Sequence, residues 1–155
     1  MKLKKAGLFL LGALTGGLAA TVAKESRISK LKKDVLKYLT LFRTMNQYVV
    51  TKQLHKDLSG YFAEKGIRTI AVYGMSHIGQ RIIDDLENSD VRVLFGIDKR
   101  ADRLTYEMDI YKPEDEFPDV DAIVVAAYDF DEIEEALSAK VSCKILSFED
   151  IIYHL

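Results

Sequence analysis

The sequence predicts an α/β protein: a doubly wound parallel sheet of about five strands in the order 3-2-1-4-5, behind a long helical N-terminal region. Three observations carry this. From residue 68 onward, short apolar runs alternate with amphipathic stretches of helical period, the order of parts of a parallel sheet with right-handed crossovers. The run Val91–Ile97 is apolar nearly throughout, as strands covered on both faces are. Residues 25–58 contain neither Pro nor Gly and are dominated by helix formers.

The net charge of −2 conceals an asymmetry. Residues 1–58 carry 12 Lys/Arg against 3 Asp/Glu, or +9, while residues 59–155 carry 10 against 21, or −11. The acidic half argues against nucleic acid as a partner, because phosphate backbones need a basic face. The basic half, next to an apolar run, suits an anionic membrane surface. A single cysteine, Cys143, precludes an intramolecular disulfide and fits a reducing compartment. It sits in an apolar-flanked strand and reads as packing. The chain is too poor in Cys and His for a thiolate zinc site.

In chain order, Ala6 to Ala23 holds 18 residues without a charge, a helical span of roughly 27 Å, near the low end of what crosses a hydrocarbon core. A membrane anchor, a cleaved signal peptide and an ordinary buried helix compete for it, and the anchor (residues 1–24) is favoured. Gly12, Gly16 and Ala20 recur at four-residue spacing and offer a small face to an identical helix. Lys2, Lys4 and Lys5 precede the run, whereas Lys24, Arg27, Lys30, Lys32, Lys33 and Lys37 follow it. That balance expects a single pass with the C-terminal domain cytoplasmic.

Residues 25–58 form the expected stalk. Ile28, Leu31, Val35, Tyr38, Phe42, Met45 and Val49 alternate steps of three and four, the spacing of a coiled-coil seam that ends at Lys52. A homo-oligomer through residues 12–49 is therefore expected. In a rival reading Leu36, Leu39, Leu41 and Val50 widen the face for a membrane or a docked partner, and in a third the segment is a linker helix docked on its own domain. Ser59-Gly60 marks a break before a short helix.

The domain of residues 59–155 opens on a strand at Thr69–Tyr73, then a helix from His77 to about Glu87 with Ile78, Ile82, Ile83 and Leu86 on one face. Strand two is Val91–Ile97. Arg100–Tyr106 suggests one irregular turn, and Met108–Tyr111 a short third strand. The acidic loop Pro113–Pro118 lacks the ligand spacing of a metal site. Asp121–Ala127 is strand four, with Asp129 or Asp131 capping the helix that runs to about Ala139. Lys144–Leu146 is strand five, and Ser147-Phe148-Glu149-Asp150 resembles a capping box for a last short helix.

The chemistry concentrates where strand one turns into its helix. Gly74 suits a sharp exit from the strand, and Gly79 lets the helix approach the sheet closely. Between them stands Ser76, so the motif is G-x-S-x-x-G, with a side chain where a dinucleotide pyrophosphate would lie. Its hydroxyl remains able to donate to a phosphate. Met75, Ser76, His77 and Ile78 complete a turn whose free amides and helix dipole favour an anion. Asp98, at the end of strand two, stands where an acid accepts ribose hydroxyls, and Lys99 beside it suits a phosphate. Tyr128, across the switch point, is placed to stack on a base. These are the parts of a Rossmann-type nucleotide pocket. No catalytic residue and no metal ligand is assigned. A Tyr61/Lys65 pair has the spacing of a dehydrogenase's catalytic pair but precedes strand one.

The runs Ala71–Gly79, Gly96–Lys99, Asp121–Val125 and Ser147–Ile152 together resemble a bacterial Rossmann-like domain found appended to glycosyltransferases and at the N-terminus of sugar O-acyltransferases. They are also similar to the nucleotide-binding part of membrane-associated polysaccharide-biosynthesis dehydratases. The resemblance covers roughly residues 58–155. It implies that Gly74, Ser76, His77, Gly79 and Asp98 meet a nucleotide-sugar or related ligand, with NAD(P) as the alternative cofactor. No acyltransferase hexapeptide repeat or glycosyltransferase catalytic domain accompanies it. The expectation is a tethered, non-catalytic nucleotide-binding module of cell-surface polysaccharide synthesis. An NAD(P)-dependent oxidoreductase and a ligand-free scaffold recruiting partners through its coiled coil are the alternatives.

Overall fold

The computed structural model describes the backbone of residues 2–155 and the side chains from residue 24 onward. The side chains of the uncharged run at 6–23, and with them the expected anchor and its small face, lie outside the described residues. Among the described residues, no helix is long and apolar enough to cross a membrane. The chain divides into two compact units, Met1–Leu39 and Thr40–Leu155, and the division falls within one continuous helix, α1 (Lys2–Gln53).

In the first unit, Ile28, Leu31, Val35, Leu36, Tyr38 and Leu39 are all exposed. In the second, the end of α1 packs on the α/β domain through a different face. Thr44, Tyr48 and Thr51 are buried there, and Leu41 and Met45 lie against the core. Two buried threonines satisfy their hydroxyls locally: Thr44 Oγ1 donates to the Thr40 carbonyl at 3.0 Å, and Thr51 Oγ1 to that of Gln47 at 3.0 Å. Seam positions Phe42 and Val49 stay exposed.

The helix breaks at residues 54–57, earlier than the Ser59-Gly60 break expected from composition. His55 adopts a left-handed φ of 55°, and Asp57 caps the next helix, α2 (Leu58–Glu64), by accepting the Ser59 N–H at 3.1 Å. Gly60 lies inside α2. The terminating glycine is Gly66, whose φ of 69° permits the reversal into the first strand.

The sheet holds β1 (Thr69–Tyr73), β2 (Arg92–Ile97), β3 (Ile110–Tyr111), β4 (Ala122–Val125) and β5 (Lys144–Ser147), all parallel, in the order β3-β2-β1-β4-β5. This is the predicted order. β3 is only two residues long, and the doubtful stretch before it contains a single 3-10 turn at Ala101–Arg103. The strand period of two sorts residues between two cores. Ile70, Val72, Ala122 and Val124 face α2, α3 (His77–Leu86), α5 (Phe148–His154) and the end of α1. Ala71, Tyr73, Phe95, Ile97, Ile123 and Val125 face α4 (Phe130–Ser138) and Phe117 of the acidic loop.

The first core closes on α1. Tyr48 tilts against Phe148 with ring centroids 5.9 Å apart, Gln47 Nε2 donates to the Ile152 carbonyl at 3.3 Å, and the Thr51 hydroxyl shares its single proton between that carbonyl, at 3.3 Å, and its own turn. Lys52 pairs with Asp85 of α3 at 2.5 Å. Ser147 caps α5 by accepting the Asp150 N–H at 3.2 Å, as expected. Asp129 holds the N-cap position of α4, but its side chain makes no capping bond.

Candidate functional site

The glycine turn lies at the C-terminal edge of the sheet, between the ends of β2 and β4. Gly74 has a φ of +94°, and its N–H donates to the Ile97 carbonyl at 2.8 Å. A Cβ there would meet the Ala126 carbonyl oxygen at 3.2 Å, so both conformation and space require glycine. Gly79 is constrained more tightly: a Cβ would lie 2.3 Å from the Gly74 carbonyl oxygen and 3.3 Å from Val72 Cγ1. That distance is the close approach of α3 to β1 that the third position of the fingerprint demands.

Asp98 faces this turn. Its side chain is buried, with the residue 8% exposed, and Oδ2 accepts the Met75 N–H at 3.0 Å. Oδ1 accepts the Arg100 N–H at 2.8 Å, with Arg100 Nε at 3.5 Å. A carboxylate offers about four acceptor positions, so two backbone donors leave capacity for a ligand hydroxyl. The first task of this acid is nevertheless structural, since it holds the turn in shape.

The remaining predicted residues fall into two groups. Ser76, partly exposed, takes the N-cap position of α3 without a side-chain cap bond, and His77 and Lys99 are exposed at the same edge. Ser76 and His77 stand at the positive end of the α3 dipole. Met75 and Ile78 are buried, so only their backbone belongs to the site. Met75 packs over Gly96, where a Cβ would come within 2.5 Å of its Sδ. Tyr128 is exposed beside Ala127 at the end of β4.

A hollow of about 10 Å³ lies beside the end of β4, lined by Ile78, Val125–Tyr128, Phe148 and Glu149 and by Thr40, Leu41 and Thr44 of α1; none of Gly74–His77, Gly79 or Asp98 borders it. That is room for one water at most. Sequence reasoning allowed a helix docked on its own domain as an alternative to the stalk, and the docked face combines Leu41, Met45 and Tyr48 with Thr44 and Thr51; it did not assign Thr40, Leu41 or Thr44 to this edge. It also missed Tyr73, the last residue of β1. Burial raises the Tyr73 phenol above its ordinary range, and the charges of Asp129 and Asp98 push it the same way. Its position beside the glycine was the available signal.

The Tyr61/Lys65 pair lies at the other end of the sheet. Lys65 Nζ sits over the Tyr61 ring at 4.6 Å, on α2, which precedes the N-terminal end of β1. A larger hollow, about 960 Å³ and open to solvent, lies between the acidic loop and residues 138–143 and includes Cys143. Burial raises the Cys143 thiol, which makes it a poor nucleophile. Among the described residues, no group of three or more His, Cys, Asp or Glu side chains is placed to hold a metal ion. No protein-family model, curated protein or solved structure matches the chain.

Proposed function

We propose that this chain is a membrane-tethered, non-catalytic Rossmann-like module that binds a nucleotide or nucleotide-sugar at the Gly74–Gly79 turn. The observation that carries the reading is the juxtaposition of the turn and Asp98. The buried carboxylate accepts the Met75 N–H, which brings a ribose-competent acid to the uncapped start of α3. Exposed His77 and Lys99 add cationic capacity at the same edge. A phosphate rests on the amides after Ser76, and the sugar hydroxyls reach Asp98.

A mononucleotide needs only the β1–β2 side of the turn, where Asp98 stands, whereas a dinucleotide also crosses the switch point toward β4. The oxidoreductase reading is the weaker one, because the Tyr61/Lys65 pair lies at α2, which precedes β1, and not at this edge. The resemblance of residues 58–155 to domains of polysaccharide-assembly enzymes supports the sugar half of the proposal and its link to cell-surface polysaccharide. The uncharged run at 6–23, flanked by lysines, supports the tether and a cytoplasmic domain. A second reading, a scaffold that holds no ligand, is favoured by the two backbone N–H groups that already engage Asp98.

Thermal unfolding of the detergent-solubilised full chain separates the readings. UDP-sugars, UDP, NAD(H) and NADP(H) would each be added at millimolar concentration. A rise in Tm with a UDP-sugar or UDP is expected, because a ligand at 100 times its Kd stabilises by about 2.7 kcal/mol. A response to nicotinamides alone supports the enzyme, and silence with every compound supports the scaffold.

A further inference from the structure

The strongest unassigned feature is the outer face of α1. Ile28, Leu31, Val35, Tyr38, Phe42 and Val49 are all exposed, with Leu31 at 63%, Tyr38 at 68% and Phe42 at 69%. Large apolar side chains in a continuous row are rare on a surface that stays in water. Their spacing is the second observation. With Met45 they occupy seven successive seam positions over 22 residues, about 33 Å of helix, and none is polar.

We infer that this face pairs with the same face of a second copy, as a parallel two-stranded coiled coil over residues 28–49. Ile28, Val35, Phe42 and Val49 fall at a; Leu31, Tyr38 and Met45 fall at d. Three of the four a positions are β-branched, the choice that favours two parallel strands. The domain takes the g and c flank of the helix through Leu41, Thr44, Tyr48 and Thr51 and touches the seam at Met45, while Phe42 and Val49 at a and Asn46 at e stay exposed. Lys30, Lys33 and Lys37 fall at c and f, away from the partner. The six exposed side chains open roughly 600 Å² per copy, so a pair buries about 1,200 Å², the lower bound for a specific interface.

A lipid surface is the rival occupant, and the sustained alternation of three- and four-residue steps argues for a helical partner, because a lipid surface sets no such register. The pairing stands independently of the nucleotide site, so loss of one leaves the other intact.

Cysteine cross-linking of the full chain tests this. In a Cys143→Ser background, Val35→Cys places a thiol at the seam and Lys33→Cys places one on the outer face. Oxidation in detergent is expected to convert most of the Val35→Cys chain, and at least tenfold less of the Lys33→Cys chain, to a disulfide dimer. Light scattering of the parent is expected to give a mass of two chains. Phe42→Glu is expected to give one chain while the unfolding of the α/β domain is preserved. Equal cross-linking at both positions or a one-chain mass for the parent would overturn the proposal. So would a two-chain mass without the Val35→Cys disulfide, which marks antiparallel pairing. A mass of three or more chains would overturn the two-stranded form.

Discussion

Two residues define the candidate site, and each sets one physical effect against another. At Gly79, helix propensity favours alanine by about 1 kcal/mol. Sterics oppose it, because the new Cβ would lie 2.3 Å from the backbone oxygen of Gly74, which is part of a turn already fixed on three sides. Overpacking of this kind costs about 1–3 kcal/mol, and here the obstruction is backbone that cannot swing aside. Gly79→Ala is therefore expected to destabilise by about 2 kcal/mol in urea unfolding; a stabilised variant would mean that α3 is free to shift. At Asp98, two backbone N–H groups converge on two carboxylate oxygens. Asparagine presents an NH₂ to one of them, so Asp98→Asn is expected to cost about 2–3 kcal/mol and to abolish nucleotide binding together. Unchanged stability would show that the turn does not depend on the acid.

At the scale of elements, β1 and β4 were legible because strands buried on both faces carry uninterrupted apolar runs, whereas β2, read in the same way, is buried only from Phe95 to Ile97 and leaves Arg92 and Leu94 exposed. Thr69–Tyr73 was readable to the residue. β3 was harder to read, since two residues paired at an edge leave almost no pattern, and the break at His55 rests on a left-handed residue that composition does not mark. The docking of α1 was legible only as an alternative to the coiled-coil stalk, because its apolar members Leu41, Met45 and Tyr48 are interleaved with threonines. Thr44 and Thr51 hide their hydroxyls on carbonyls four residues back and so pack as small apolar groups. Because Tyr48 leans on Phe148, Phe148→Ala is expected to cost about 3–4 kcal/mol and to loosen α1, seen as faster amide exchange at residues 44–51. Unaltered exchange there would mean the helix is held by its polar contacts alone. The junction of β1 and β4 depends on pH. Asp121 accepts the Arg68 and Thr69 backbone N–H groups at 2.9 and 2.8 Å, and these bonds hold its carboxyl below the ordinary value of 3.8. A depressed folded pKa gives stability that is complete above the unfolded value and lost as pH falls through the folded one. Thermal unfolding from pH 5 to pH 2.5 is expected to show Tm falling below about pH 4, with a shallower fall in Asp121→Asn; identical slopes would remove this role from Asp121.

For the whole molecule, the strand order followed from sequence because alternating strands and helices with right-handed crossovers allow few topologies. What occupies the switch point did not follow, since that depends on where an N-terminal helix comes to rest. In the fold, Thr40, Leu41 and Thr44 of α1 border a hollow of about 10 Å³ beside Val125–Tyr128, at the end of β4. The central claim is that a phosphate settles on the amides following Ser76. The most direct measurement is an NMR titration of the ¹⁵N-labelled full chain in detergent micelles with UDP and UDP-sugars. The amides of Ser76, His77, Ile78 and Gly79 are expected to shift together and saturably, with Asp98 following and those of the α2 region unmoved. Amides at the turn that stay still at millimolar nucleotide, or shifts confined to another face, would contradict it.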